Sequence, residues 1–179
     1  VLRSTLLADV PHGFTGVAEG DLAPGAAEVR AGLVQALGGR GALVEVRQVH
    51  GARVVGPEGA GEEADALVST APDVVIGVRT ADCVPILLAA EGGVAAVHAG
   101  WRGTAARVVH HALTELRART DGGPVRAAVG PRICARCYEV GPEVIGALTA
   151  VIPGDAWRLG ERHVDLGVAN RVLLEAEGV

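Results

Sequence analysis

Between residues 42 and 98 the chain carries short apolar runs at 42–46, 53–55, 66–68, 74–78, 84–90 and 94–98, most of them separated by Gly or Pro clusters. None is long enough for the three turns of an ordinary helix, and runs punctuated this way read as successive strands. A further strand is expected at 6–10, closed by the turn-like Pro11-His12-Gly13, and another at 125–129. Helical spacing occurs at 26–37, through Val29, Leu33, Val34 and Leu37, until Gly38-Gly39 stops it. It returns at 104–119 through Ala105, Val108, Val109, Ala112, Leu113 and Leu116, ending at Asp121-Gly122-Gly123-Pro124. Helices are also expected at 144–151 and 166–174, and a Gly- and Pro-rich loop at 16–25. Strands crowd the middle without regular alternation with helices. The expected class is therefore α+β, a single domain with a mixed β-sheet and flanking helices.

The chain has 179 residues, enough for one well-buried core. Apolar residues make up 49% of it and aromatics only 2%, so that core must be built from Val, Leu and Ala. The net charge of −5 argues against a nucleic-acid footprint, which needs surplus positive charge. It leaves room for a small anion held by a few of the basic residues, all of which are arginine. No apolar run has the span of a membrane helix, so no membrane partner is expected. Cys83, Cys134 and Cys137 form an odd set without a secretion pattern, which fits a reducing cytoplasm better than a disulfide scaffold.

Three segments share a layout in which an apolar strand runs into a polar, glycine-containing turn with a metal-capable residue. They are Val46-Arg47-Gln48-Val49-His50-Gly51, Arg79-Thr80-Ala81-Asp82-Cys83-Val84-Pro85 and Val97-His98-Ala99-Gly100-Trp101-Arg102-Gly103-Thr104. Loops at one edge of a sheet can meet despite wide separation in sequence. Two imidazoles and a thiolate suit zinc, and three protein ligands are the mark of a catalytic site. Spacing alone leaves the matter open, because Cys is often simply buried and a lone His is more often hydrogen-bonded than metal-bound.

Other residues near these turns also have two readings. Asp82 either orients a ligand and accepts a proton or stabilises its turn. Arg102 suits a bidentate grip on phosphate, against the plainer reading of a surface salt bridge. The backbone amides of Gly103 and Thr104 are expected to begin the following helix, where anions are attracted. Trp101 either stacks on a purine or caps the core, and strand alternation lets Arg47 and Arg79 face the site or turn away. Cys134-x-x-Cys137 reads as half a zinc site or as a redox pair, with no second Cys or His pair at suitable spacing. His110 and His111 lie mid-helix, and the sequence offers no partner for His12 or His163.

The three segments, in this order, resemble the polyphenol oxidase or laccase-domain family, also called peptidoglycan editing factors. Gly130-Pro131, Cys137-Tyr138-Glu139-Val140-Gly141, Asp165-Leu166 and Ala169-Asn170-Arg171 carry the resemblance to the end of the chain. It implies a zinc-dependent purine nucleoside phosphorylase, acting on adenosine, inosine, guanosine or methylthioadenosine, that also deaminates adenosine. His50, Cys83 and His98 fall on the family's metal-ligand positions. The implied partners are a purine nucleoside and phosphate, in a monomer or homodimer. The family's older name implies copper-dependent phenol oxidation instead, although none of the six histidines forms a His-x-His pair. A thiol hydrolase with Cys83 as nucleophile, and a non-catalytic protein holding a nucleoside or a peptidoglycan precursor, are the remaining readings.

Departures from the family pattern are the missing Cys-Thr pair and Ser-aromatic-Arg-Arg motif past Val179, and a short loop before Ala26. Residues 1–179 are therefore expected to be a single catalytic domain without its extreme N-terminus and a C-terminal segment. At position 134 the family more often has Gly.

Overall fold

The computed structural model describes residues 1–20 and 26–179. Part of the loop expected at 16–25, from residue 21 to 25, lies outside the described residues. In chain order the regular elements are α1 (Ala27–Ala36), β1 (Leu43–Val44), β2 (Val54–Val55), β3 (Ala66–Ser69), β4 (Val75–Ile76), β5 (Val84–Ala90), β6 (Gly93–Ala99), α2 (Trp101–Ala105), α3 (Val108–Arg119), β7 (Arg126–Val129), α4 (Pro142–Thr149), β8 (Arg158–Leu159), β9 (His163–Val164) and α5 (Leu166–Ala176). The fold is α+β, as the sequence implies.

The central sheet has five strands in the order β2-β3-β6-β5-β7. Its β2–β3 pair is parallel and the other pairs are antiparallel. Two-stranded pieces, β1 with β4 and β8 with β9, flank it. Side chains alternate across a strand, so each strand contributes to two faces. Ala66 and Val68, Val84, Ile86 and Leu88, and Ala95, Val97 and Ala99 share one core cluster with Val109, Ala112, Leu113 and Leu116 of α3. These residues define the helix-covered face. Burying a leucine as completely as Leu113 or Leu116 contributes roughly 2–3 kcal/mol each. By alternation Asp65, Leu67, Cys83, Pro85, Ala96 and His98 belong to the opposite face.

Three expectations are corrected. Residues 6–10 form no strand: Thr5–Leu7 is a short 3-10 turn, whose first amides are capped by the Ser4 hydroxyl accepting from Leu6 N–H. The helix expected at 104–119 is two helices, divided where Arg107 takes a left-handed φ of 60°. Its apolar spacing runs on across the break, so periodicity does not reveal it. The helix expected at 144–151 begins at Pro142, whose fixed φ and missing N–H suit a first turn, and ends at Thr149. The β8–β9 hairpin was not expected, because Arg158-Leu159 and His163-Val164 lie in no apolar run.

Candidate metal centre

Antiparallel pairing of β5 with β6 brings the start of one strand to the end of the other, with Pro85 opposite His98 and Val84 opposite Ala99. Cys83 therefore precedes its strand, whereas the sequence layout had placed the metal-capable residue after one. His98 lies within β6 and His50 on the loop after β1. One candidate ligand atom from each of His50, Cys83 and His98 falls within 4.8 Å of the others. Among the described residues it is the one cluster of three such side chains close enough to share an ion. The imidazoles of His50 and His98 meet edge to face, with centroids 4.8 Å apart. His98 is buried, Cys83 half-buried and His50 exposed, so the cluster opens to solvent on the His50 side.

Asp65, immediately before β3 and fully buried, organises this arrangement. Its Oδ1 lies 2.7 Å from His98 Nδ1. An ionised carboxylate only accepts, so His98 Nδ1 carries the proton and Nε2 presents its lone pair. The same carboxylate accepts the backbone N–H groups of Val49, His50 and Gly51 at 3.2, 2.9 and 2.7 Å. Those three bonds hold the loop in which His50 adopts a left-handed φ of 60°. One acidic residue thus fixes both imidazole-bearing segments. The sequence did not single it out, although a charged residue heading the buried run Ala66-Leu67-Val68 was a visible signal.

Gly100 completes the cradle. A Cβ there would stand 2.9 Å from Cys83 Sγ and 3.0 Å from His50 Cδ2. Its φ and ψ of −75° and 172° are open to any residue, so the crowding comes from the cluster itself. Gly103 has a packing role: a Cβ would meet the Gly51 carbonyl oxygen at 2.9 Å, so its absence lets α2 lie against the His50 loop.

Electrostatics follow from burial. Burial lowers the His98 pKa, opposed by Asp65 and aided by His50, which favours the neutral ligand form. Burial pushes the Cys83 thiol up, and the carboxylates of Asp82 and Asp65 push it further. A bound cation reverses that balance, since a coordinating thiol loses its proton.

The remaining candidates separate into two groups. Asp82 is exposed beside Cys83, and its backbone carbonyl accepts Ile133 N–H at 3.1 Å. Arg102 is exposed and stacks 4.4 Å above the ring of half-buried Trp101. Thr104 must be removed from the anion-binding set. It is fully buried, its N–H already donates to the Gly100 carbonyl, and Asn170 Nδ2 donates to its hydroxyl at 3.0 Å. That buried pair ties α2 to α5. Arg47 and Arg79 pair with Glu63 and Glu45. His12 Nε2 accepts from Ser4 N–H, and His110 bonds Glu177.

Tyr138, from the Cys137-Tyr138-Glu139 stretch, is half-buried. Burial raises its hydroxyl pKa, with Cys83 and Asp82 raising it further and Arg102 opposing. A separate apolar cavity of about 540 Å³, lined by Leu7, Val10, Val75, Leu87 and Val94 among others, contains none of the three cluster residues.

Comparison with known proteins follows the same outline. A purine nucleoside phosphorylase of Deinococcus radiodurans is 41% identical over 204 aligned residues, covering 100% of this chain and 79% of that protein. A protein named adenosine deaminase, from an unknown prokaryotic organism, is 41% identical over 160 residues, covering 76% of this chain and 60% of that protein. The solved structure of YlmD from Geobacillus stearothermophilus superposes with a TM-score of 0.76 at 31% identity, over 92% of this chain and 69% of that one. The chain thus spans only part of the length of these relatives. Residues 14–179 match the family described as multi-copper polyphenol oxidoreductase laccase, and the chain belongs to that family.

Proposed function

We propose that this chain supplies the metal centre of a zinc-dependent enzyme that phosphorolyses purine nucleosides and deaminates adenosine. The carrying observation is the convergence of His50, Cys83 and His98, with His98 oriented by Asp65. Two nitrogen donors and one sulfur donor match zinc's ligand preferences. Relatives named purine nucleoside phosphorylase and adenosine deaminase supply the substrate class. When bound, zinc supplies Lewis acidity, polarising an oxygen ligand and lowering the pKa of water.

The chain's own residues do the rest. Burial keeps His98 neutral and Asp65 keeps it aimed, while Gly100 leaves the cluster uncrowded. Arg102, exposed at the start of α2, offers two parallel N–H groups to a phosphate oxygen pair. Trp101, under that guanidinium, offers an apolar face to the base. Asp82, beside Cys83, is placed to accept a proton. In phosphorolysis a phosphate oxygen attacks the anomeric carbon as the purine leaves; in deamination water displaces the amino group.

The family's description favours a copper-dependent phenol oxidase as the second reading. A Cys83 nucleophile fits less well, since burial and two carboxylates disfavour its thiolate. The test is metal analysis together with product assays on wild type and Cys83→Ala. Zinc near one per chain, adenine released from adenosine plus phosphate, inosine released without phosphate, and loss of all three in the variant are expected. Activity and zinc retained in Cys83→Ala would overturn the proposal. Phenol oxidation by copper-loaded protein with no nucleoside turnover would select the second reading, and nucleoside binding without turnover a pure binder.

A further inference from the structure

Cys134 and Cys137 take no part in the metal cluster, and both are exposed. They lie at the two ends of the 3-10 turn Ala135–Cys137, with Cys134 as its N-terminal cap. The Cys137 N–H donates to the Cys134 carbonyl at 2.9 Å, which closes the turn. The two sulfur atoms are thereby held 2.8 Å apart. A pair of thiols already in contact needs little chain movement to become a disulfide, and both are open to a small reagent from solvent.

We propose that Cys134 and Cys137 form a thiol–disulfide exchange site whose co-substrate is a low-molecular-weight disulfide. Cys134 is the attacking thiol. Its pKa is lowered, chiefly by hydrogen bonding from the Cys137 thiol, with smaller contributions from the Arg136 and Cys137 amides and the Arg136 guanidinium. The Cys137 thiol is correspondingly raised by Cys134. That division of labour suits one attacking and one resolving sulfur.

The reaction balances without a metal or oxygen. Cys134 thiolate attacks one sulfur of the disulfide, forming a mixed disulfide and expelling the first thiolate. Cys137, giving up its proton, then attacks Cys134 Sγ, closing the intramolecular bond and expelling the second thiolate. The two protons lost by the cysteines end on the two thiols released. The chain is oxidised by two electrons and the small disulfide reduced by two.

The test uses the reduced full chain and glutathione disulfide as the probe, followed by alkylation, intact mass and peptide mapping. Wild type is expected to lose two hydrogens, keep no glutathione, and yield a peptide with Cys134 and Cys137 bridged, while Cys83 remains alkylatable after unfolding. Cys137→Ser retains a hydroxyl donor but no resolving thiol, so it should hold a stable glutathione adduct on Cys134. Cys134→Ser likewise leaves one thiol without a resolving partner and should hold its adduct on Cys137. A stable adduct on the wild-type chain, or two thiols still open to alkylation, would overturn the proposal. A mixed disulfide trapped by acid quench of the wild-type reaction on Cys137 instead of Cys134 would overturn the assignment of Cys134 as attacker.

Discussion

The carboxylate of Asp65 lies 2.7 Å from His98 Nδ1 and also accepts the N–H of His50, so one buried side chain sets both imidazoles of the cluster. Replacing it by Asn keeps the shape and removes the charge. The amide must then turn an NH2 group toward either the loop amides or the imidazole N–H. Asp65→Asn is expected to weaken metal binding about 10–100-fold. It should also cost about 1–3 kcal/mol in stability through unsatisfied buried donors. Metal retention under competing chelator and thermal unfolding of the metal-free protein check the two effects separately. Unchanged retention would show that Asp65 has no hold on the ligands.

Gly100 tests the cradle without touching a ligand. Its backbone angles accept alanine, but the new Cβ would press on Cys83 Sγ at 2.9 Å and His50 Cδ2 at 3.0 Å. Overpacking of this kind costs about 1–3 kcal/mol, or about 10–100-fold in metal affinity if the cluster bears it. Gly100→Ala should therefore lose metal while the metal-free protein unfolds close to the wild-type temperature. Full affinity in this variant would mean that the cluster relaxes freely.

Arg102 separates the two proposed reactions. Its guanidinium is exposed and stacked on Trp101, so Arg102→Ala should change stability by less than about 1 kcal/mol. Loss of a charge-assisted contact to phosphate, about 1.5–3 kcal/mol, should raise the phosphate KM roughly 10–100-fold. Deamination needs no phosphate and should be nearly unaffected. Steady-state kinetics of adenine and inosine release decide the point, and equal losses in both would remove Arg102 from the phosphate site.

Glu45 gives an acid-dependent stability. Burial raises its pKa, but hydrogen bonds from the Arg79 and Arg30 guanidiniums outweigh this and leave it below the ordinary 4.5. A carboxyl depressed in the folded state stabilises fully above its unfolded pKa and loses that contribution as pH falls through the folded value. Glu45→Gln is expected to cost about 1 kcal/mol at neutral pH, discounted for the exposure of Arg79. The gap between variant and wild type should narrow as pH falls below the ordinary 4.5 and close once it has passed the lower folded value. Denaturant unfolding at pH 7 and at acidic pH measures it, and a gap independent of pH would show that the charge is not responsible.

Local chemistry was legible where the residues themselves carry it. The apolar run at 84–90 became β5 to the residue, and the period at 166–174 became most of α5, capped by the Asp65-like device of Asp165 accepting Val168 N–H. The words around His50, Cys83 and His98 named three metal-capable residues, and resemblance put them in one family. Burial and hydrogen-bond partners lay beyond that reach. The Thr104 N–H, expected to face an anion, donates to the Gly100 carbonyl, and its buried hydroxyl is held by Asn170, 66 residues away.

The sequence by itself determined the class of fold, the strand-forming middle and the kinds of ligand atom available, because period, turn residues and donor chemistry are properties of neighbouring residues. Only the tertiary structure decided that the start of β5 meets the end of β6, that α2 and α3 part at Arg107, and that Asp65 holds both histidines. Those outcomes depend on antiparallel register and on which distant polar group a buried carboxylate must satisfy, and neither is written within one turn of chain.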